Sequence, residues 1–188
     1  MKQAPIDLSH KYKAIPTHLT ESQFTEFVLP YLSSNRRGPT PNISLYRIFS
    51  YILIILYTGM QWEQLPIELN PLTQKPEIHY TRVFRIYQRW SRDGSLERIF
   101  ENTVHLLSEN NLLDLSVLHG DGSTTPAKKG GDNIGYSGHK HFKGEKIVAI
   151  VDRHANVIAP YVNAPGNRNE SPLLKPAIDG LKKNHSFD

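Results

Sequence analysis

The apolar pattern of this chain changes character at Leu112, and that change limits what it can fold into more than any other feature. Before it, apolar residues recur at helical spacing; after it, short apolar runs bounded by glycine and polar turns read as strands. An α+β chain is therefore expected, with a helical domain over residues 1–112 and a strand-bearing one over 113–188. A length of 188 residues gives room for one ordinary domain and a smaller one, and 38% apolar content is enough to build a core.

The helical half is punctuated clearly. Residues 1–19 are polar, carry Pro5 and Pro16, and read as an arm. Thr20-Glu21-Ser22-Gln23 matches a capping box, and Phe24, Phe27, Val28, Tyr31 and Leu32 keep the spacing of one helix face, with Pro30 expected to kink or end it early. Asn35-Arg36-Arg37-Gly38-Pro39-Thr40-Pro41 reads as a loop. From Ile43 to Tyr57 apolar residues surround the axis, which predicts a helix buried on nearly every side and closed by Gly59. Pro66, Pro71 and Pro76 keep the next stretch irregular, so a third helix is expected over about 77–91. Asp93-Gly94-Ser95 breaks it and caps a fourth, whose Leu96, Ile99, Phe100, Val104 and Leu107 pack inward.

The third helix carries two opposed stripes. Tyr80, Val83, Phe84, Tyr87 and Trp90 fall on one side, and Arg82, Arg85, Arg89 and Arg92 on the other. Such a helix either presents an ordinary solvated face or offers guanidinium groups to a phosphate backbone. The absence of any acid on the arginine stripe, and the fit of the guanidinium fork to phosphate, weaken the first reading and leave the two evenly balanced.

Beyond Leu112, Leu115–Asp121, Lys146–Asp152 and Asn156–Val162 read as strands, and about 171–182 as a helix with Pro172 in its first turn. His119-Gly120-Asp121-Gly122-Ser123-Thr124-Thr125 places a carboxylate at the end of the first strand, with glycines that let a phosphate or metal approach the backbone. Asp121 is the candidate metal ligand; the competing reading is a plain Asp-Gly turn. Ser123–Glu145 is rich in glycine and lysine, and Lys128, Lys129, Lys140 and Lys143 are candidates for phosphate contact, without the Gly-Lys-Ser/Thr of a Walker loop. His139 and His141 lack a third ligand and read as exposed polar residues of a basic loop. The longest apolar run, Tyr51–Tyr57, is too short for a membrane span, and Met1–His10 lacks the apolar stretch of a signal peptide. No cysteine is present, which rules out disulfides and thiolate metal sites and suits the cytoplasm. A net charge of +4 with a pI near 9.2 is compatible with an anionic partner.

Three blocks together resemble the insertion-sequence transposases of the DDE class in which a helical domain precedes a ribonuclease H-like catalytic domain. They are Tyr57-Thr58-Gly59-Met60-Gln61-Trp62-Glu63-Gln64-Leu65-Pro66; Val83-Phe84-Arg85 through Trp90-Ser91-Arg92-Asp93-Gly94-Ser95-Leu96-Glu97-Arg98-Ile99; and Asp121-Gly122-Ser123 with the glycine-lysine loop, Lys143–Ile147, Ile150-Val151-Asp152 and Ala164–Ser171. Their order and spacing cover residues 50 to 175. The resemblance implies a DNA-binding domain over 1–112 and the first portion of a ribonuclease H-like domain over 113–188. It implies phosphodiester cleavage and strand transfer by metals, Mg²⁺ or Mn²⁺, shared among three carboxylates. Only the first carboxylate carries over, onto Asp121; the other two are expected beyond the chain end, so the chain is expected to be inactive alone. Asp152 reads as a turn residue, and Glu170, where the family often has aspartate, is given no catalytic part. The implied partner is double-stranded DNA at the element's terminal inverted repeats, with a homo-oligomer or a second chain supplying the rest of the catalytic domain, in the bacterial cytoplasm at the nucleoid. A DNA-binding repressor without catalysis, or one half of a split enzyme, are the alternatives.

Overall fold

A computed structural model describes residues 19–33, 42–127, 131 and 133–184. The expected arm up to residue 18, the linker 35–41, and Lys128 and Lys129 lie outside the described residues. Among the described residues the chain is mixed helix and antiparallel sheet, consistent with α+β. It divides into two compact units, Met1–Ile99 and Phe100–Asp188. No helix among the described residues is long and apolar enough to cross a membrane.

In the first unit, α1 (Glu21–Phe27) starts on the expected capping box, the Thr20 N–H donating to Gln23 Oε1 at 2.9 Å and the Gln23 N–H to Thr20 Oγ1 at 3.2 Å. Pro30 ends it as expected, and Leu29–Tyr31 continues as a 3₁₀ turn. Helix α2 (Leu45–Thr58) is closed by Gly59 at φ 64°, a left-handed conformation in which glycine avoids a Cβ penalty. It buries Ile48, Phe49, Tyr51, Ile52 and Ile55, one broad face, while Leu56 and Tyr57 in the last turn are exposed. The expectation of burial on nearly every side therefore fails at its C-terminal end.

Tyr51 explains why α3 starts late. Its hydroxyl donates to Glu77 Oε1 at 2.7 Å and accepts the Glu68 N–H at 3.0 Å, while Arg47 bridges Glu68 and Glu77. The Glu77 N–H is also bound to the Glu68 carbonyl at 3.0 Å, so Glu77 is held in the loop. Helix α3 consequently spans Tyr80–Arg92 with His79 as its N-cap, rather than beginning near Glu77. After the turn at Asp93 and Gly94, α4 (Ser95–Glu109) follows.

The second unit is built on β1 (His119–Pro126), β2 (Gly135–Ser137), β3 (Phe142–Val151), β4 (Val162–Pro165) and α5 (Ser171–Asn184). β3 is central: β1 lies antiparallel on one side, and β2 and β4 follow one another along the other. Side chains alternate between faces. Val148 and Ile150 turn to a core shared with Val104, Ile158, Ala159, Ala177 and Leu181. Three strand expectations are corrected. The first strand begins at His119 rather than Leu115 and runs on to Pro126, so Asp121 is its third residue and not its end. The glycine-lysine segment is not one loop, because β2 and the start of β3 form within it. Asn156–Val162 is not a continuous strand: Val157 makes a single bridge to Val151, and Pro160, without an N–H, precedes β4.

Asp152 holds the turn between β3 and this segment. It is fully buried, and its carboxylate accepts N–H groups from Asp114 (3.0 Å), His154 (3.0 Å) and Asn156 (2.8 Å) and the Asn156 amide (3.1 Å). Burial alone would raise its pKa, but these donors outweigh burial and hold it below the ordinary aspartate value. The expected turn role is the observed one. Replacement by alanine strands several donors, so Asp152→Ala is expected to destabilise the sheet unit by about 3 kcal/mol in urea unfolding. Because the folded pKa is depressed, the stabilisation is present above the unfolded pKa and is lost as pH falls through about 4 and below. Unfolding of Asp152→Ala is accordingly expected to depend less on pH than that of the wild type in that window.

Candidate nucleic-acid interface

Helix α3 divides its faces as its sequence dictates, with one exception. Val83, Ile86 and Trp90 are buried, and Phe84 and Tyr87 lean on Trp62 with ring centroids 5.1 and 5.3 Å away. Arg82, Arg85 and Arg92 are exposed and make no ion pair with any described carboxylate. Arg89 departs from the stripe. Its guanidinium carbon lies 6.0 Å from the Trp90 ring centroid, its Nε is buried without a hydrogen-bond partner among the described residues, and the residue is half-buried. Three arginines are therefore available to an anionic surface and the fourth is partly committed to packing.

The other end of α3 is fixed by polar contacts. Trp90 is fully buried, and its indole N–H donates to the Ser33 carbonyl at 3.2 Å. The Ser33 hydroxyl donates to Asp93, the buried Ser95 hydroxyl accepts the Ser33 N–H at 3.0 Å, and Arg98 reaches the carbonyls of Asp93 (3.0 Å) and Tyr31 (3.2 Å). Burial opposes ionisation of Asp93, but the Ser33 and Ser95 donors prevail and lower its pKa. Arg98 is thus a structural cation, whereas the exposed arginines one and more turns earlier have no carboxylate partner among the described residues.

In the second unit, β1 shows its odd residues to one face and its even residues to the other. Asp121, Ser123 and Thr125 are exposed on the open face, and Asp121 accepts the neighbouring Gly122 N–H at 2.8 Å. The flanking glycines answer to the opposite face. A Cβ on Gly120 would meet Leu174 at 3.1 Å and one on Gly122 would meet Glu170 at 2.7 Å, so these glycines admit α5 and its leading residue rather than a phosphate or metal. Glu170 lies there because it pairs with Lys146 at 2.9 Å. Asp121 and Glu170 point to opposite faces of the sheet.

Among the described residues no group of three or more His, Asp or Glu could hold a metal ion. Asp121, the expected metal ligand, therefore belongs to no set of three ligands there, and the described residues do not fit a pair of shared divalent ions. Lys140 and Lys143 are exposed on the β2–β3 hairpin, as are His139 and His141. Tyr136, which carries no signal in the sequence pattern, is exposed beside Lys143; only the pairing of β2 with β3, a three-residue strand with little apolar character, reveals it. A cleft of about 360 Å³ opens between β1 and the following loop, lined by Thr125, Gly131, Asn133, Ile134 and Glu145.

No family model matches this chain, and no curated protein or solved structure matches it either.

The role of Gly122 is testable. Gly122→Ala is expected to displace Glu170, weaken its pairing with Lys146, and cost about 1–3 kcal/mol in chemical unfolding. The Glu170→Ala background is expected to absorb most of that cost, because the obstructing side chain is gone. An additive double mutant would mean that Glu170 is not what excludes the methyl group.

Proposed function

We propose that this chain is part of an insertion-sequence transposase of the DDE class, that its helical unit binds double-stranded DNA through α3, and that its sheet unit belongs to a ribonuclease H-like domain. The observation that carries the proposal is the separation on α3: Val83, Ile86 and Trp90 fix the helix in a core while Arg82, Arg85 and Arg92 stand in solvent without described carboxylate partners. A helix so anchored holds its guanidinium groups at fixed spacing, as contacts that set register on a phosphate backbone require. The antiparallel set β1, β3 and β4, followed by α5, and the exposed Asp121 on β1 support the catalytic-domain reading. Asp121 belongs to no group of three or more potential metal ligands among the described residues, and DNA binding without cleavage by this chain alone agrees with either a repressor or one half of a split enzyme.

Replacing Arg82, Arg85 and Arg92 together with alanine is expected to weaken duplex binding and to lower the slope of log K against log salt by about 0.9 for each phosphate that is no longer neutralised. Unchanged affinity and slope in a folded triple mutant return these side chains to an ordinary solvated face. Incubated with duplex DNA and Mg²⁺ or Mn²⁺, the purified chain is expected to leave the strands intact. Cleavage that disappears in Asp121→Asn would show that a complete site forms without any other protein.

A further inference from the structure

Strands β2 and β3 form a short ribbon whose turn, Gly138 to His141, is held by the Lys140 N–H donating to Ser137 Oγ at 3.3 Å and by His141 at φ 54°. Tyr136 and Lys143 are direct cross-strand partners, so their side chains stand next to each other on one face. Both are exposed, Tyr136 to 53%. No carboxylate occurs from Gly135 to Gly144, and His139, Lys140 and His141 are exposed at the turn.

The ribbon is firmly seated. The Gly166 N–H donates to the Gly144 carbonyl at 3.0 Å, and a Cβ on Gly144 would stand only 2.1 Å from the Thr125 carbonyl oxygen. A tyrosine held out from so tight a base loses little freedom when a flat ligand settles on it. Alternation along β3 places Lys143 on the same open face as Ala149, the cross-strand partner of Asp121. Those two positions lie six residues apart along β3, about 20 Å of strand. Glu145, between them, lines the cleft with Asn133 and Ile134.

We propose that Tyr136 is a stacking platform for an unpaired nucleotide base, with Lys143 and Lys140 holding the phosphates on either side of it. Every base offers a π face, so one exposed phenol binds without sequence preference, while lysine heads track the backbone as point charges. Paired bases inside a duplex have no free face. The sheet unit therefore selects DNA with a locally unpaired strand, and the open face leads that strand toward Asp121. This role rests on the DNA-binding reading above.

The test compares two fluorescent DNAs: a blunt duplex, and the same duplex with a short single-stranded 3′ overhang containing 2-aminopurine. The wild-type chain is expected to bind the overhang form about tenfold more tightly and to change the 2-aminopurine emission, with Tyr136→Ala losing both effects. Tyr136→Trp is expected to keep them, as is Tyr161→Ala, which removes another exposed tyrosine (57%) outside the ribbon. Lys143→Ala is expected to weaken overhang binding and to lower its salt slope by about 0.7, the value for one phosphate of a single strand. Equal affinity for the two DNAs, or a preference that survives Tyr136→Ala, overturns the stacking role while leaving duplex binding in place. Failure to bind either DNA removes the DNA-binding reading and this one with it.

Discussion

In each unit one aspartate gathers the N–H and O–H groups that a reversal of the chain would otherwise leave unpaired. Asp93 collects Ser33 and Ser95 where α3 gives way to α4. Asp152 collects Asp114, His154 and Asn156 where β3 turns back. In both, burial works against the charge and the donors win, which is why both carboxyls titrate below their ordinary value. What the rest of each unit can present to solvent depends on these corners. The first orients α3 with its arginines outward, and the second fixes the end of the strand that aligns β1.

Charge is used in two distinct ways in consequence. Arg47, Arg98 and Lys146 are bound to carboxylates or carbonyls and serve the fold. Arg82, Arg85, Arg92, Lys140 and Lys143 have no such ties among the described residues. The mild net charge of +4 thus understates how unevenly the free cations are placed. The polar lock around Trp90 also gives a physical reason for much of the block from Trp90 to Arg98, whatever the protein binds: Asp93, Ser95 and Arg98 all serve the turn.

The helices were legible because their signals are local. The Thr20 capping box, Pro30, Gly59 and the Asp93-Gly94 break each act within a few residues, and each is found where the pattern placed it. The start of α3 was missed because Glu77 is held back by Tyr51 and Glu68, residues distant in sequence. The sheet was harder to read for the same reason. Gly120 and Gly122 resemble turn punctuation beside Asp121, yet they lie inside a strand and are glycine because Leu174 and Glu170 need the space. Leu115, Val117 and Leu118 look like a strand and stand exposed ahead of it. The arginine stripe was largely legible from spacing alone; the withdrawal of Arg89 toward Trp90 is a tertiary detail no helical wheel supplies.

Both tryptophans of the chain, Trp62 and Trp90, fall in the first compact unit, and the second has none. Trp90 is wholly shielded from water and sits against Phe49 with ring centroids 6.3 Å apart. Indole emission therefore reports on the helical unit alone, whereas tyrosines occur in both units and do not tell them apart. With the tryptophans excited selectively, the melting of the helical unit can be followed without a label while the sheet unit stays silent.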